Sequence, residues 1–249
     1  MKKIIILVLI IGLPILIYIM TINNKVYYIA LGDSLAAGQN PYKSMAYGYA
    51  DYVADNLRTR KKLDFYTKKF AVSGYRIIDL INDINDNKKI LIDNKEITIK
   101  HALAKSDIIT ISIGSDDLFY KMGIYGFDSV YYSETDSRKY VDEVILDVDN
   151  LLVLIKKYCK EDIILIGYYN PLWHMKKDYA KELDPVFVYA NKRMKEISKK
   201  NSVIYIDIHK MFENNTDYLP NPIDIHPSDE GYSAISKRVI EAIDKYILN

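Results

Sequence analysis

Apolar positions after residue 25 follow two rhythms. Short apolar runs at residues 26–31, 65–72, 107–113, 163–166 and 203–206 are rich in β-branched and aromatic side chains. Each ends at a Gly, Ser or Asp, which is the signature of strands buried in a sheet. Between these runs the period lengthens to that of an amphipathic helix. Residues 46–60 place Tyr49, Val53 and Leu57 on one face. Residues 136–157 hold Val141, Ile145, Val148, Leu152 and Ile155 in register. Further helices are predicted at 75–84, at 185–199 opening on Pro185, and at 229–248. Strands alternating with helices predict an α/β fold, a three-layer α/β/α sandwich. Its parallel sheet should have about five strands in flavodoxin-like order. Ligands of such sheets sit at the carboxyl ends of the strands, so the informative loops follow Leu31, Val72, Ile113, Ile166 and Ile206. No internal repeat or low-complexity linker interrupts the pattern.

The first residues obey neither rhythm. Lys2 and Lys3 precede an uncharged stretch, residues 4–22, built almost wholly of Ile, Leu, Val, Met and Tyr. That matches the ~20 residues needed to cross a bilayer. The flanking lysines favour a cytoplasmic N-terminus with the body of the protein outside. The expected organisation is a transmembrane signal anchor at residues 1–24 and a single domain at 25–249. The expected location is a single-pass position in the cell membrane. A cleaved signal, giving a secreted protein, is the alternative, although no Ala-x-Ala pattern or lipobox Cys follows.

Composition narrows the chemistry mainly by exclusion. The 34 Lys and Arg are interleaved with 33 Asp and Glu over 249 residues, so no basic face for nucleic acid is expected. The lone Cys159 allows no intramolecular disulfide and no thiolate metal cage. It sits in an apolar and basic helical run and reads as a small packing residue.

Two loops carry candidate chemistry. The first reads Ala30-Leu31-Gly32-Asp33-Ser34-Leu35, with a Ser directly after a strand and a Gly. Asp33 or Ser34 could also cap the next helix. The last reads Asp224-Ile225-His226-Pro227-Ser228-Asp229, just before the closing helix, which Ser228 or Asp229 can cap. A Ser hydroxyl is a poor nucleophile until an imidazole takes its proton, so the two loops complement each other.

Four blocks, in order and each at a strand end, resemble the SGNH-hydrolase superfamily of GDSL lipases and esterases. They are Gly32-Asp33-Ser34-Leu35, Ala71-Val72-Ser73-Gly74, Ile113-Gly114-Ser115-Asp116-Asp117 and Asp224-Ile225-His226-Pro227. The resemblance implies Ser34 as nucleophile and His226 as base. It also implies an oxyanion hole from the backbone N–H groups of Ser34 and Gly74, helped by a side chain at position 116. The implied reaction is ester hydrolysis and needs no cofactor or metal. The implied substrates are lipid or lysolipid esters, or acetyl groups on cell-surface polymers.

Two positions depart from the family pattern. Asp116 stands where the family carries Asn, and an ionised carboxylate repels the oxyanion that an amide would bind. Three outcomes stay open: Asp116 is protonated and donates, the two backbone donors suffice, or the site is idle. In the last case the chain is a surface-anchored binding module. The family's acid lies three residues before the His, where Ile223 stands. Asp224, two before it, is the expected orienting acid, with a backbone carbonyl as substitute.

Other residues compete for these roles. Asp207-Ile208-His209 repeats the Asp-x-His spacing but lacks the following Pro. His101 and His174 have no acidic or Ser partner visible in sequence, and His174 falls near the site rim. Asp33, Asp116 and Asp117 could form a carboxylate cation site, though their spacing matches no known loop. Finally, Phe119, Tyr125, Phe127, Tyr131 and Tyr132 could form a lid or acyl-binding wall, or pack on their own domain.

Overall fold

The computed structural model describes residues 25–123, 134–174, 177–213 and 215–248. Its chain order is β1 (Val26–Gly32), α1 (Ser34–Ala37), α2 (Tyr49–Thr59), β2 (Leu63–Ala71) and α3 (Ile77–Asn85). Then come β3 (Lys89–Ile92), β4 (Lys95–Thr98), α4 (Ile99–Lys105), β5 (Ile108–Ser112), α5 (Ser115–Lys121) and α6 (Glu134–Ile155). The chain continues with β6 (Asp162–Ile166), α7 (Lys177–Lys200), β7 (Ile204–Ile206) and α8 (Asp229–Tyr246).

Five strands form one parallel sheet in the order β2-β1-β5-β6-β7. That is the flavodoxin-like order expected from the alternation of runs. Strand pleating divides the core in two. Ile29 and Leu31 of β1 face the cluster formed with α3, α4, α6 and α7, while Tyr28 and Ala30 face α2 and α8. The β1 side chains from Tyr28 to Leu31 are all fully buried between the two layers. This burial on both faces explains why the strands read as continuous apolar runs rather than alternating ones.

Helix boundaries follow local chemistry. The Ser228 hydroxyl accepts from the Gly231 N–H at 3.1 Å and so caps α8, as its position before the closing helix suggested. Asp33 caps α1 by accepting from the Leu35 N–H at 3.0 Å. Pro185, expected as a first helical residue, instead lies inside α7. A proline there forgoes one backbone hydrogen bond. The packing of Ala180, Leu183 and Val186 into the core carries the helix across it.

The β3–β4 hairpin was not anticipated. Its strands pair antiparallel from Lys89 with Thr98 to Ile92 with Lys95, around a turn in which Asp93 and Asn94 have positive φ. Asp and Asn tolerate that conformation, and their adjacency was the available signal. The strands are too short to show a period.

Among the described residues no helix is long and apolar enough to cross a membrane. The predicted span, residues 4–22, lies outside the described residues. So do Tyr125, Phe127, Tyr131 and Tyr132 of the expected lid.

Candidate active site

The strand order reverses beside β1, whose neighbours are β2 and β5, and the crevice of a doubly wound sheet opens there. β1 delivers Ser34 to this point. Gly32 has φ +129, and a Cβ on it would lie 1.7 Å from the Ser112 carbonyl oxygen of β5. Only glycine permits both that conformation and that approach. The chain then turns at Asp33 and presents Ser34, half-buried, at the first position of α1.

His226 arrives in the loop before α8, the helix that packs with α1 and α2 on one face of the sheet. Three contacts hold this loop. The Tyr169 hydroxyl donates to the Ile225 carbonyl at 2.6 Å. The Asn221 amide donates to the Pro41 carbonyl at 2.6 Å. The Ser228 hydroxyl donates to the Asp217 carbonyl at 2.6 Å. The imidazole Nε2 lies 2.8 Å from Ser34 Oγ, and Nδ1 lies 2.7 Å from Asp224 Oδ1. Both His226 and Asp224 are buried. Burial holds the His226 pKa below its ordinary value, against the opposing pull of the Asp224 carboxylate. A neutral imidazole with its Nδ1 proton held by a carboxylate can take a proton from a hydroxyl at Nε2.

The two-residue spacing of Asp224 and His226 works because the same Oδ1 also accepts the His226 backbone N–H at 2.9 Å. The carboxylate folds back over its own loop, and a short acidic side chain does this readily. Ile223, at the position three before the His, is 79% exposed and points away from any such role. The competing pair behaves differently. Asp207 accepts the His209 N–H at 2.9 Å in the same manner, but the His209 ring goes to Asp184 Oδ1 at 2.9 Å. His209 is thereby buried against α7, away from Ser34.

Gly74 follows β2 with φ +81 and an exposed backbone. Neither its N–H nor that of Ser34 donates to a partner among the described residues. Asp116 lies in the first turn of α5, half-buried. Burial, then the charge of Asp117, pushes its carboxyl up to about 6. Asp117 is otherwise engaged, accepting the Ile77 N–H at 2.9 Å at the start of α3.

Asp33, singled out only as a cap or a remote cation ligand, has a larger place. Its carboxylate is buried and accepts from Leu35 N–H, from the Ser112 hydroxyl at 3.2 Å and from the Ser115 hydroxyl at 3.1 Å. Burial, then the charge of Asp116, pushes it up to about 7. Among the described residues Asp33, Asp116 and Asp117 form no cluster able to hold a metal ion. Cys159 is a buried core residue whose thiol pKa is raised by burial. His101 is exposed on α4, and the His174 side chain lies outside the described residues.

Beside Ser34 and His226 opens a small cavity of about 40 Å³, walled by Leu35, Phe119, Tyr169, Pro171, Phe187 and Ile225. Phe119 is thus the one residue of the expected aromatic wall placed at the site among the described residues. Gly74 and Asp116 do not line this cavity. Tyr169, Pro171 and Phe187 were not foreseen as lining residues; the position of Tyr169 and Pro171 just after β6 was the available signal.

Such a fold and site place a Ser–His–Asp constellation at the switch point of a flavodoxin-like α/β/α sandwich. The sequence profile of the GDSL-like Lipase/Acylhydrolase family matches residues 30–234, and the chain belongs to that family. It is 25% identical over 226 residues to the uncharacterized protein YpmR of Bacillus subtilis, covering 87% of this chain and 80% of that one. Among solved structures it resembles the lipase Lip_vut3 from a goat rumen metagenome, with a TM-score of 0.66 and 20% identity. That match covers 86% of this chain and 96% of the lipase. A catalytic mutant of Axe2, an acetylxylan esterase from Geobacillus stearothermophilus, superposes with a TM-score of 0.61 at 16% identity. Here 87% of this chain and 93% of the esterase are covered.

Proposed function

We propose that this protein is a serine ester hydrolase. Ser34 Oγ attacks the ester carbonyl while His226 Nε2 takes its proton and returns it to the leaving alcohol. Asp224 holds the imidazole in the tautomer that leaves Nε2 free and stabilises its charged form. The backbone N–H groups of Ser34 and Gly74 receive the oxyanion, and the neutral form of Asp116 adds a third donor. Water then repeats the sequence on the acyl-enzyme. The observation that carries this reading is the continuous chain Asp224–His226–Ser34, with links of 2.7 and 2.8 Å. The largely apolar lining of the small cavity beside Ser34 suits the acyl portion of an ester.

The reading extends to location. The apolar residues 4–22 would tether the domain to the outer face of the cell membrane, next to lipid esters and to acylated surface polymers alike. The lipase and acetylxylan esterase relatives make both substrate classes reasonable. A second reading, a binding module without turnover, is favoured by one observation: Asp116 in place of an amide.

The test is labelling and turnover in the full chain. A fluorophosphonate probe should modify wild type and leave Ser34→Ala untouched, and hydrolysis of p-nitrophenyl acetate should vanish in the same variant. A folded wild-type protein that resists the probe and turns over neither acetate nor octanoate esters would favour the binding module.

A further inference from the structure

Gln39 follows Gly38, the C-cap of α1, and its main chain is fixed. Its N–H donates to the Ser34 carbonyl at 3.0 Å, and its carbonyl accepts from the Tyr232 hydroxyl at 2.7 Å. Pinned at both main-chain groups, the residue sends its side chain across the site. The Ser73 hydroxyl donates to Gln39 Oε1, and Gln39 Nε2 lies 3.3 Å from His226 Nδ1. The Nδ1 atom therefore has two neighbours, since Asp224 Oδ1 is 2.7 Å away.

Only one state of the imidazole lets Ser34 be activated: the proton on Nδ1 and the lone pair on Nε2. With Nδ1 protonated, an amide N–H facing it sets donor against donor. The two ends of a Gln amide exchange places by a half-turn of the side chain. After that half-turn every group is satisfied. Gln39 Oε1 shares the Nδ1 proton with Asp224, and Gln39 Nε2 donates to Ser73 Oγ. In the opposite orientation Gln39 donates to a bare Nδ1. Nε2 then carries the proton and donates to Ser34, and the Asp224 carboxylate faces a lone pair.

We propose that Gln39 is a positioning residue that selects the base-competent tautomer of His226 and ties it, through Ser73, to the adjoining Gly74. The proposal rests on the serine hydrolase reading above. It links the loop of the base to the loop of an oxyanion donor, which otherwise come from opposite sides of β1. Gln39 touches no reacting atom; it acts through the imidazole.

Other titratable groups at this end of the sheet are Asp224 on the same loop, Tyr169 after β6, and Asp33 and Asp116 after β1 and β5. All stay unchanged across the variants to be compared, so differences report Gln39.

The experiment compares wild type, Gln39→Leu, Gln39→Glu and Ser73→Ala by NMR titration of the His226 ring, with kcat and KM on p-nitrophenyl acetate. Gln39→Glu places a carboxylate against Nδ1 and should move the His226 titration to higher pH by at least about one unit, as a close opposite charge does. Gln39→Leu removes an acceptor and should move it lower, with kcat down roughly tenfold at an unchanged KM, the loss of one modest hydrogen bond. Ser73→Ala should lower kcat less. A His226 titration that is the same in wild type and Gln39→Glu overturns the proposal, even if Gln39→Leu fails to fold. A wild type inert to the fluorophosphonate probe would instead sink the hydrolase reading, and the titration would still report whether Gln39 acts on Nδ1.

Discussion

On the proposed hydrolase reading, Asp116 sets how activity depends on pH. A carboxyl held at about 6 is neutral below that pH and charged above it. The sign is therefore set: a raised carboxyl can donate to an oxyanion in mild acid and repels it as pH rises through 6. His226 works in the other direction, because its pKa is lowered from 6.5 and it is free to accept a proton above that value. The wild-type profile of kcat/KM should rise as His226 deprotonates and fall again as Asp116 ionises, giving an optimum in mild acid. Asp116→Asn should lose the falling limb and gain roughly 10- to 100-fold at pH 8, within the usual worth of one oxyanion donor. Superimposable alkaline limbs in the two proteins would show that Asp116 stands outside the reaction. At the same scale, Asp224→Ala should cost about 10³- to 10⁴-fold in kcat while leaving KM nearly unchanged, measured on the same ester.

At the scale of elements, the strands aim the chemistry. β1 and β5 approach so closely at their carboxyl ends that the Asp33 N–H donates to the Ser112 carbonyl at 2.9 Å. That bond sets the direction in which Ser34 emerges. Gly32→Ala would drive a methyl group into the same carbonyl and force a backbone conformation with φ +129 on a residue that resists it. The expected loss of stability is several kcal/mol, at the upper end for single substitutions. Thermal melts should show a destabilised or unfolded protein, and a wild-type melting temperature would contradict the geometry. The long helices were legible because each buries one face and so repeats a period, and the sheet strands because burial on both faces makes them continuous apolar runs. The β3–β4 hairpin, α1, α4 and α5 were not, because elements of four to seven residues complete too few turns or pleats to show one.

For the whole molecule, the direction of β1 relates the apolar N-terminal stretch to the site. β1 begins at Val26, directly after that stretch, and ends beside Ser34. Its seven residues rise about 3.3 Å each, so the two points are separated by roughly 20 Å along the strand. A domain tethered through residues 4–22 would carry its site on the face turned away from the bilayer. Full-length protein in vesicles, labelled at Ser34 with a fluorescent fluorophosphonate, should then show weaker energy transfer to a headgroup dye than protein labelled at Lys25. Equal or stronger transfer from Ser34 would mean that the domain lies on its side.

Sequence by itself determined the layering, the strand order and the two loops that carry Ser34 and His226. These follow from periodicity and from residues adjacent in the chain, which a linear pattern records. Tertiary structure decided which of the candidate partners meet. Asp224 reaches His226 because its loop folds back on itself, His209 goes to Asp184 because α7 passes beside β7, and Asp33 is raised because β1 and β5 enclose it. Gln39 meets Ser73 and His226 across 34 and 187 residues of sequence, a convergence made only by the sheet. Hydrogen-bond partners and burial are properties of neighbours in space, and in this fold the neighbours at the site come from the far ends of different strands.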